Sequence, residues 1–349
     1  MNMYGTGKIN LTEKPLRNHD EDSPQENRMD ISLIVPVYNE EQNLPLLFDA
    51  ICAALEPLAR PWEVIFVDDG SRDKSVSVLT GLFRRDPLHV RVIEFRRNFG
   101  QTAAIAAGLD HARGDIVILL DADLQNDPAD IPMLLAKLDE GYDVVSGWRR
   151  KRKDNALMRT LPSLLANGLI SSVTGVHLHD YGCTLKAYRR DVLEGFHLYG
   201  EMHRFIPVFA HSVGARITEV EVNHHPRKFG RAKYGLERTP KVLLDLFTVK
   251  FLLDYSSKPI YLFGGAGLAL MFLGLADLLY LFVRRFWGVP AATSPLLLVG
   301  VMFAIMGFQS VLMGLIAELL VRTYHESQSK TTYRIRAILE SKNMESSKP

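Results

Sequence analysis

Asp121-Ala122-Asp123-Leu124-Gln125 follows the apolar run at 116–120. Two carboxylates one residue apart, in an extended or turning segment, can both reach one hard divalent cation, and Gln125 offers a neutral oxygen two residues on. Mg²⁺ or Mn²⁺ held this way keeps coordination positions free for phosphate oxygens. Asp is common in turns for conformational reasons alone, so it is the place of the pair, at the end of a buried strand, that carries the signal. A second acidic group, Asp68-Asp69-Gly70-Ser71 with Asp73, ends the run Trp62–Val67. Gly70 permits a tight turn, and Ser71 or Asp73 can cap a following helix. Capping does not account for the crowding of Asp68 and Asp69, whose repulsion a ligand offering donors, or a cation, would relieve. After the first apolar run come Pro36-Val37-Tyr38-Asn39-Glu40-Glu41. Tyr38 can lie against a nucleobase and Glu40 can accept from a base or ribose; a turn into a helix with an acidic first turn reads equally well.

These groups need a scaffold that brings them together. Short apolar, β-branched stretches recur at ISLIVPV (31–37), WEVIFVDD, VRVIEF, DIVILLDAD and YDVVSG (142–147), with helical patterns between them at 43–58, from about Asp73, at 102–112 and at 130–140. Alternating strands and helices predict an α/β fold, a mostly parallel sheet with helices on both faces. In such sheets ligands bind beyond the carboxyl ends of the strands, where these polar groups fall.

Charged residues make up 23% of the 349, and the net charge is +1, which gives no reason to expect nucleic acid as a partner. Cys52 and Cys183 are the two cysteines, in no metal-ligand spacing, which fits a reducing compartment. His177, His179, His224 and His225 lack a third ligand at zinc spacing. The run Arg149–Lys153 reads as a solvated or headgroup-facing surface.

The apolar residues concentrate near the C-terminus. Residues 260–283 and 296–321 are each long enough to cross ~30 Å of hydrocarbon. Basic residues crowd the outer flanks, and only Arg284 and Arg285 lie between the spans. The positive-inside rule then predicts a membrane hairpin with both termini and the preceding domain in the cytoplasm. The expected organisation is a disordered tail at 1–28, a catalytic domain at 29–235, an interfacial amphipathic helix at 236–258, two transmembrane helices at 259–322 and a cytoplasmic tail at 323–349.

The segments Pro36–Glu41, Val67–Asp73, Arg97-Asn98-Phe99-Gly100-Gln101 and Asp121–Gln125 occur in the order and spacing of one family. The chain resembles the family 2 glycosyltransferases of GT-A (Rossmann-like) fold, over about residues 30–335. Arg97–Gln101, Asp121–Pro128 and Arg227-Lys228-Phe229-Gly230-x-x-Lys233-Tyr234 resemble its polyprenyl-phosphate branch, which includes dolichol-phosphate mannose synthases and undecaprenyl-phosphate sugar transferases. Asp180–Arg190 and His203–Pro207 look most like transferases of 4-deoxy-4-formamido-L-arabinose. Asn126-Asp127-Pro128 departs from the family's usual Asp before the prolines without touching the expected ligands.

The resemblance implies that Pro36, Tyr38, Glu40 and Asp68 hold the nucleoside, with Asp121 shared between nucleotide and metal. It implies that Asp121, Asp123 and Gln125 bind Mg²⁺ or Mn²⁺. Arg149, Arg204, Arg227 and Lys233 would gather the phosphate charge of a nucleotide sugar and a polyprenyl phosphate, about four negative charges in all, and Asp180 would orient the acceptor or a sugar hydroxyl. Bacterial members of the branch further imply the inner membrane and a homo-oligomer, a tetramer. A processive polysaccharide synthase would need more spans and a Gln-x-x-Arg-Trp motif, which the sequence lacks. An inactive scaffold or a flippase subunit would have no use for the carboxylate set.

Overall fold

The computed structural model describes residues 29–150, 167–168, 170–172, 174–194, 198, 202–229, 246, 250–251, 259–287, 294–327 and 335–340. The 1–28 tail, Lys151–Lys153, Lys233 and nearly all of the expected interfacial helix lie outside them.

Five strands stand where the sequence places them: β1 (Ile31–Val37), β2 (Trp62–Asp68), β3 (Val90–Phe95), β4 (Ile116–Leu119) and β5 (Val144–Trp148). The helices between them are α1 (Leu44–Leu55), α2 (Ser75–Arg85), α3 (Gln101–His111) and α4 (Ile131–Asp139). β1, β2, β3 and β4 pair in parallel. Their side chains alternate between two cores, as a period of two requires. Leu33, Val35, Val64 and Phe66 pack with Phe48 and Leu134 on the side of α1, α2 and α4. Ile34, Ile65 and Ile93 pack with Ala104, Ile105 and Phe205 on the side of α3. α3 lies so close that a Cβ on Gly108 would sit 2.3 Å from Ile34 Cγ2.

The region after residue 148, irregular in its sequence pattern, adds β6 (Lys186–Arg189), α5 (Ile206–Ser212) and β7 (Ile217–Glu221). β6 lies antiparallel between β4 and β5, and β7 runs parallel to β5. Their alternation is short and broken by charges, which hid them. β8 (Ile335–Leu339) falls in the stretch expected as a tail and pairs antiparallel with β3. The eight strands run β7-β5-β6-β4-β1-β2-β3-β8.

α6 (Ile260–Arg285) and α7 (Pro295–Ser327) are the two apolar helices. Both are long and apolar enough to cross a membrane, the first spanning 26 residues or roughly 39 Å. They touch through glycines: a Cβ on Gly267 would meet Gly307 O at 2.6 Å, and one on Gly274 would meet Gly300 O at 2.7 Å.

Candidate functional site

The loops after β1 and β2 are sewn together at the carboxyl edge of the sheet. The Asn39 amide donates to Ser71 Oγ at 2.9 Å, the Glu40 amide to Ser75 Oγ at 2.9 Å, and the Arg72 amide to Asn39 Oδ1 at 2.7 Å. Asp73 accepts from the amides of Glu41 and Ser75. Asn39 takes φ +53° to make the turn. Pro36 lies opposite Val67, and Val37 opposite Asp68, at the carboxyl ends of β1 and β2.

Asp68 is buried, and burial raises its pKa. Its Oδ2 accepts the Ser71 amide at 3.0 Å, whereas Oδ1 has no partner among the described residues. A buried acceptor left open is costly unless a ligand supplies a donor. Asp69 does a different job. Its carboxylate accepts the amides of Phe99 at 2.6 Å and Gly100 at 3.0 Å, fixing the loop after β3. Gly70, at φ +68°, lets that loop approach, since a Cβ there would lie 2.5 Å from the Arg97 carbonyl carbon. The fixed loop delivers Gln101, whose Nε2 donates to Asp121 Oδ1 at 2.8 Å.

Beyond β4, Leu124 takes φ +59° and turns the chain just after Asp123, and Asp121 lies near enough for its charge to act on Asp123. Burial, then the charge of Asp121, pushes the Asp123 carboxyl up to about 6. Arg227 Nη2 donates to Asp123 Oδ2 at 2.6 Å, and its Nη1 lies 3.8 Å from Glu40 Oε1. Arg227 thus links Glu40 to Asp123, and Asp121 lies in the same acidic cluster. Two crowded carboxylates fit a hard divalent cation better than a softer metal, and the Gln125 backbone amide, which donates to Asp123 Oδ1 at 3.1 Å, keeps the third expected ligand in the same turn. Among the described residues no third His, Cys, Asp or Glu completes a protein-only cage. Phosphate oxygens would have to fill the rest.

Arg149 and Asp180 meet in a second cluster. The guanidinium donates through Nε at 2.7 Å and Nη2 at 3.0 Å, a bidentate, nearly buried pair. Asp180 also accepts the Gly182 amide at 3.1 Å. Arg204 belongs here too: a Cβ on Gly182 would lie 3.3 Å from Arg149 Nη2 and 4.0 Å from Arg204 Nη1. Beneath them Lys186, fully buried and with its pKa lowered by that burial, donates to the carbonyls of Tyr181 and Cys183. Sequence reasoning missed Lys186, because its burial is set by the strands on either side of β6 and leaves no local signal. His179 pairs with Glu219 and His225 with Asp127, so these rings are engaged at the surface.

Known proteins resemble this chain over most of its length. The glycosyl transferase family 2 profile matches residues 32–196. The dodecaprenyl-phosphate galacturonate synthase of Rhizobium johnstonii is 43% identical over 316 residues, 89% of this chain and 94% of that protein. The undecaprenyl-phosphate 4-deoxy-4-formamido-L-arabinose transferase of Pseudomonas fluorescens is 40% identical over 311 residues, 89% and 91% of the two chains. Among solved structures, the glucosyl-3-phosphoglycerate synthase of Mycobacterium tuberculosis, in complex with Mn²⁺, uridine diphosphate and phosphoglyceric acid, superposes with a TM-score of 0.51 at 19% identity. It covers 66% of this chain and 81% of that one.

Proposed function

The chain belongs to glycosyl transferase family 2, and from that premise we propose that it transfers a sugar from a nucleotide donor, a uridine diphosphate sugar, to a polyprenyl phosphate at a membrane surface. It is a glycosyltransferase of GT-A fold. The observation that carries the acceptor reading is the contact of Arg227 with Asp123. It puts a cation suited to an incoming phosphate beside the carboxylates suited to a donor diphosphate.

In this reading Pro36, Tyr38, Glu40 and Asp68 hold the nucleoside, and the open Asp68 Oδ1 accepts from a base or ribose donor. Asp121, Asp123 and Gln125 would hold Mg²⁺ or Mn²⁺, which supplies charge neutralisation to the diphosphate leaving group. Arg227 and Lys233 draw in the lipid phosphate. A lipid phosphate oxygen bonds to the anomeric carbon as the bond to the nucleoside diphosphate breaks, the electron pair leaving with the diphosphate. Displacement from the opposite face inverts the configuration. A phosphate monoester is ionised near neutral pH, so no strong base is needed. Asp180, neutralised by Arg149, then serves to place that guanidinium and a sugar hydroxyl. Arg204 adds charge on the same side.

The domain limits follow the same reading: catalytic domain at 29–235, interfacial segment at 236–258, hairpin at 259–322. We place the hairpin in a bacterial inner membrane with the catalytic domain cytoplasmic, and the assembly as a homo-oligomer, a tetramer. The test is incubation of the purified protein with undecaprenyl phosphate and a panel of nucleotide sugars, led by uridine diphosphate galacturonate and the formamido-arabinose donor. Mass spectrometry of the lipid reads the product. Nucleotide binding without any sugar-bearing lipid across the panel would refute the acceptor assignment.

A further inference from the structure

The chain leaves the catalytic domain for the apolar hairpin and then comes back. Ser310 Oγ donates to Phe263 O at 2.8 Å, and a Cβ on Gly314 would lie 2.9 Å from Ile260 Cδ1. The start of α6 and the C-terminal half of α7 therefore lie toward the same end of the hairpin, where α7 runs on from Gly314 to Ser327, roughly 20 Å, before the chain returns to the domain. The outgoing connection starts near Leu246, which is buried in the same core as Phe205 and Ile34. Phe251, five residues on, meets Phe263 of α6 with ring centroids 6.0 Å apart.

The returning connection is short. α7 ends at Ser327 and β8 starts at Ile335; eight Cα steps span at most ~28 Å. β8 then runs antiparallel along β3 with Ile335 opposite Phe95 and Leu339 opposite Val92. Phe95 is the carboxyl end of β3, so the chain from the hairpin arrives at the functional edge, beside the Arg97–Gln101 loop. Ion pairs hold it along its length. Arg336 Nη1 lies 3.3 Å from Glu94 Oε1. Glu340 accepts from Arg113 at 2.6 Å and from Arg91 at 3.2 Å, and Arg91 is itself buried and bonded to Glu63 and the His111 carbonyl.

We propose that Leu246 and β8 form a two-point mount that fixes the functional edge of the sheet at a set height over the lipid surface, so that a membrane-embedded phosphate meets the site. The proposal rests on the lipid-acceptor reading above. A domain on one flexible link sweeps a large volume, which dilutes the site as seen by a lipid. A second attachment, through the outermost strand β8, removes the swivel. Mutual support of a paired strand and partly buried charges gives the second point stiffness that one surface ion pair would lack.

The experiment uses the full chain in phosphatidylethanolamine–phosphatidylglycerol vesicles. One variant carries ten Gly/Ser residues inserted after Lys330, which leaves β8 free to pair but slackens the return. Another is Glu340→Lys, which turns the Arg91 and Arg113 contacts repulsive. Transfer is compared for undecaprenyl phosphate in the vesicle and for water-soluble dimethylallyl phosphate. In a Cys52→Ser background, a dye on Leu88→Cys, a residue 73% exposed, reports its distance to acceptor dyes in the bilayer by time-resolved energy transfer. The mount predicts that both variants lose at least about fivefold on the long acceptor, stay within about twofold on the short one, and broaden the distance distribution. An unchanged, narrow distribution in the slack variant overturns the proposal, and so does an equal loss on both acceptors. If the wild type transfers to neither acceptor, the functional reading fails on its own, while the distance distribution still decides the mount.

Discussion

The carboxyl edge of the sheet and the apolar hairpin are built on opposite terms. At the edge, specific polar atoms are placed by other specific polar atoms: Asp69 holds the Phe99 and Gly100 amides, and the loop they fix delivers Gln101 to Asp121. In the hairpin, what matters is the absence of side chains. Gly267 faces Gly307 and Gly274 faces Gly300 at backbone contact, while Phe272, Leu275 and Leu319 stand exposed on the outside. Where water competes for hydrogen bonds, identity of the functional group decides; in the membrane setting proposed for the hairpin, close packing does. The edge should therefore be sensitive to chemistry at constant volume and the hairpin to volume at constant chemistry.

The largest effect belongs to Asp123→Asn. It keeps shape and removes the charge that a divalent cation needs, so transfer should fall by three decades or more, about 4 kcal/mol in the barrier. Thermal unfolding should stay within a few degrees of wild type. Turnover near the wild-type rate at low Mn²⁺ or Mg²⁺ would break the chemical half of the contrast.

Arg227→Ala comes next. Loss of one charged partner to a phosphate costs about 2.7–4 kcal/mol in a transition state, roughly two to three decades in rate. Arg227→Lys should recover only part, because an ammonium cannot offer a planar fork. The defect should persist with a short soluble acceptor, and nucleotide affinity without acceptor should barely move. Rescue by the short acceptor would instead make Arg227 a headgroup contact.

In the hairpin the sensitivity reverses. Gly307→Val adds only methyl groups, yet its Cβ would sit 2.5 Å from Gly267 O, which forces the helices apart at about 1–3 kcal/mol. Leu275→Val, on a side chain 66% exposed, should be neutral. Unfolding in detergent micelles compares the two, and equal stability would remove the packing half of the contrast.

How much of this was legible in advance follows the same division. Apolar strands ending in Asp68 or followed by Glu40 and Asp121 announced the sheet and the edge at which these acids fall, because a buried parallel strand and a polar terminus are local patterns. So were the two spans. What the sequence concealed depends on distant partners. β8 is five residues of mixed character and becomes a strand only because β3 offers an edge and Arg91 and Arg113 await Glu340. Lys186 sits opposite both Leu119 and Ser146, a position that no local periodicity reveals. The Arg149–Asp180 pair joins residues 31 apart and turns Asp180 from a free carboxylate into half of a fixed ion pair.

The smallest expected effect separates charge from shape at Asp69. Burial pushes this carboxyl up to about 6, against the pull of the Phe99 and Gly100 amides, and the charge of Asp68 adds to the rise. A carboxylate whose pKa is higher folded than unfolded binds a proton more readily in the folded state. Asp69 therefore makes the fold less stable above pH 6, and as pH falls from about 6 to about 4 its share of the stability rises. Asp69→Asn cannot titrate. Its amide oxygen can still accept one backbone N–H, but its NH₂ would confront the other. The variant should thus lose stability at all pH values and lose the wild type's relative gain between pH 6 and pH 4, a difference of order 1 kcal/mol. Urea unfolding of both proteins in micelles across that window measures it. Parallel pH profiles would mean that the Asp69 carboxyl titrates at the same pH folded and unfolded, and that the loop after β3 is held by shape rather than by a buried charge.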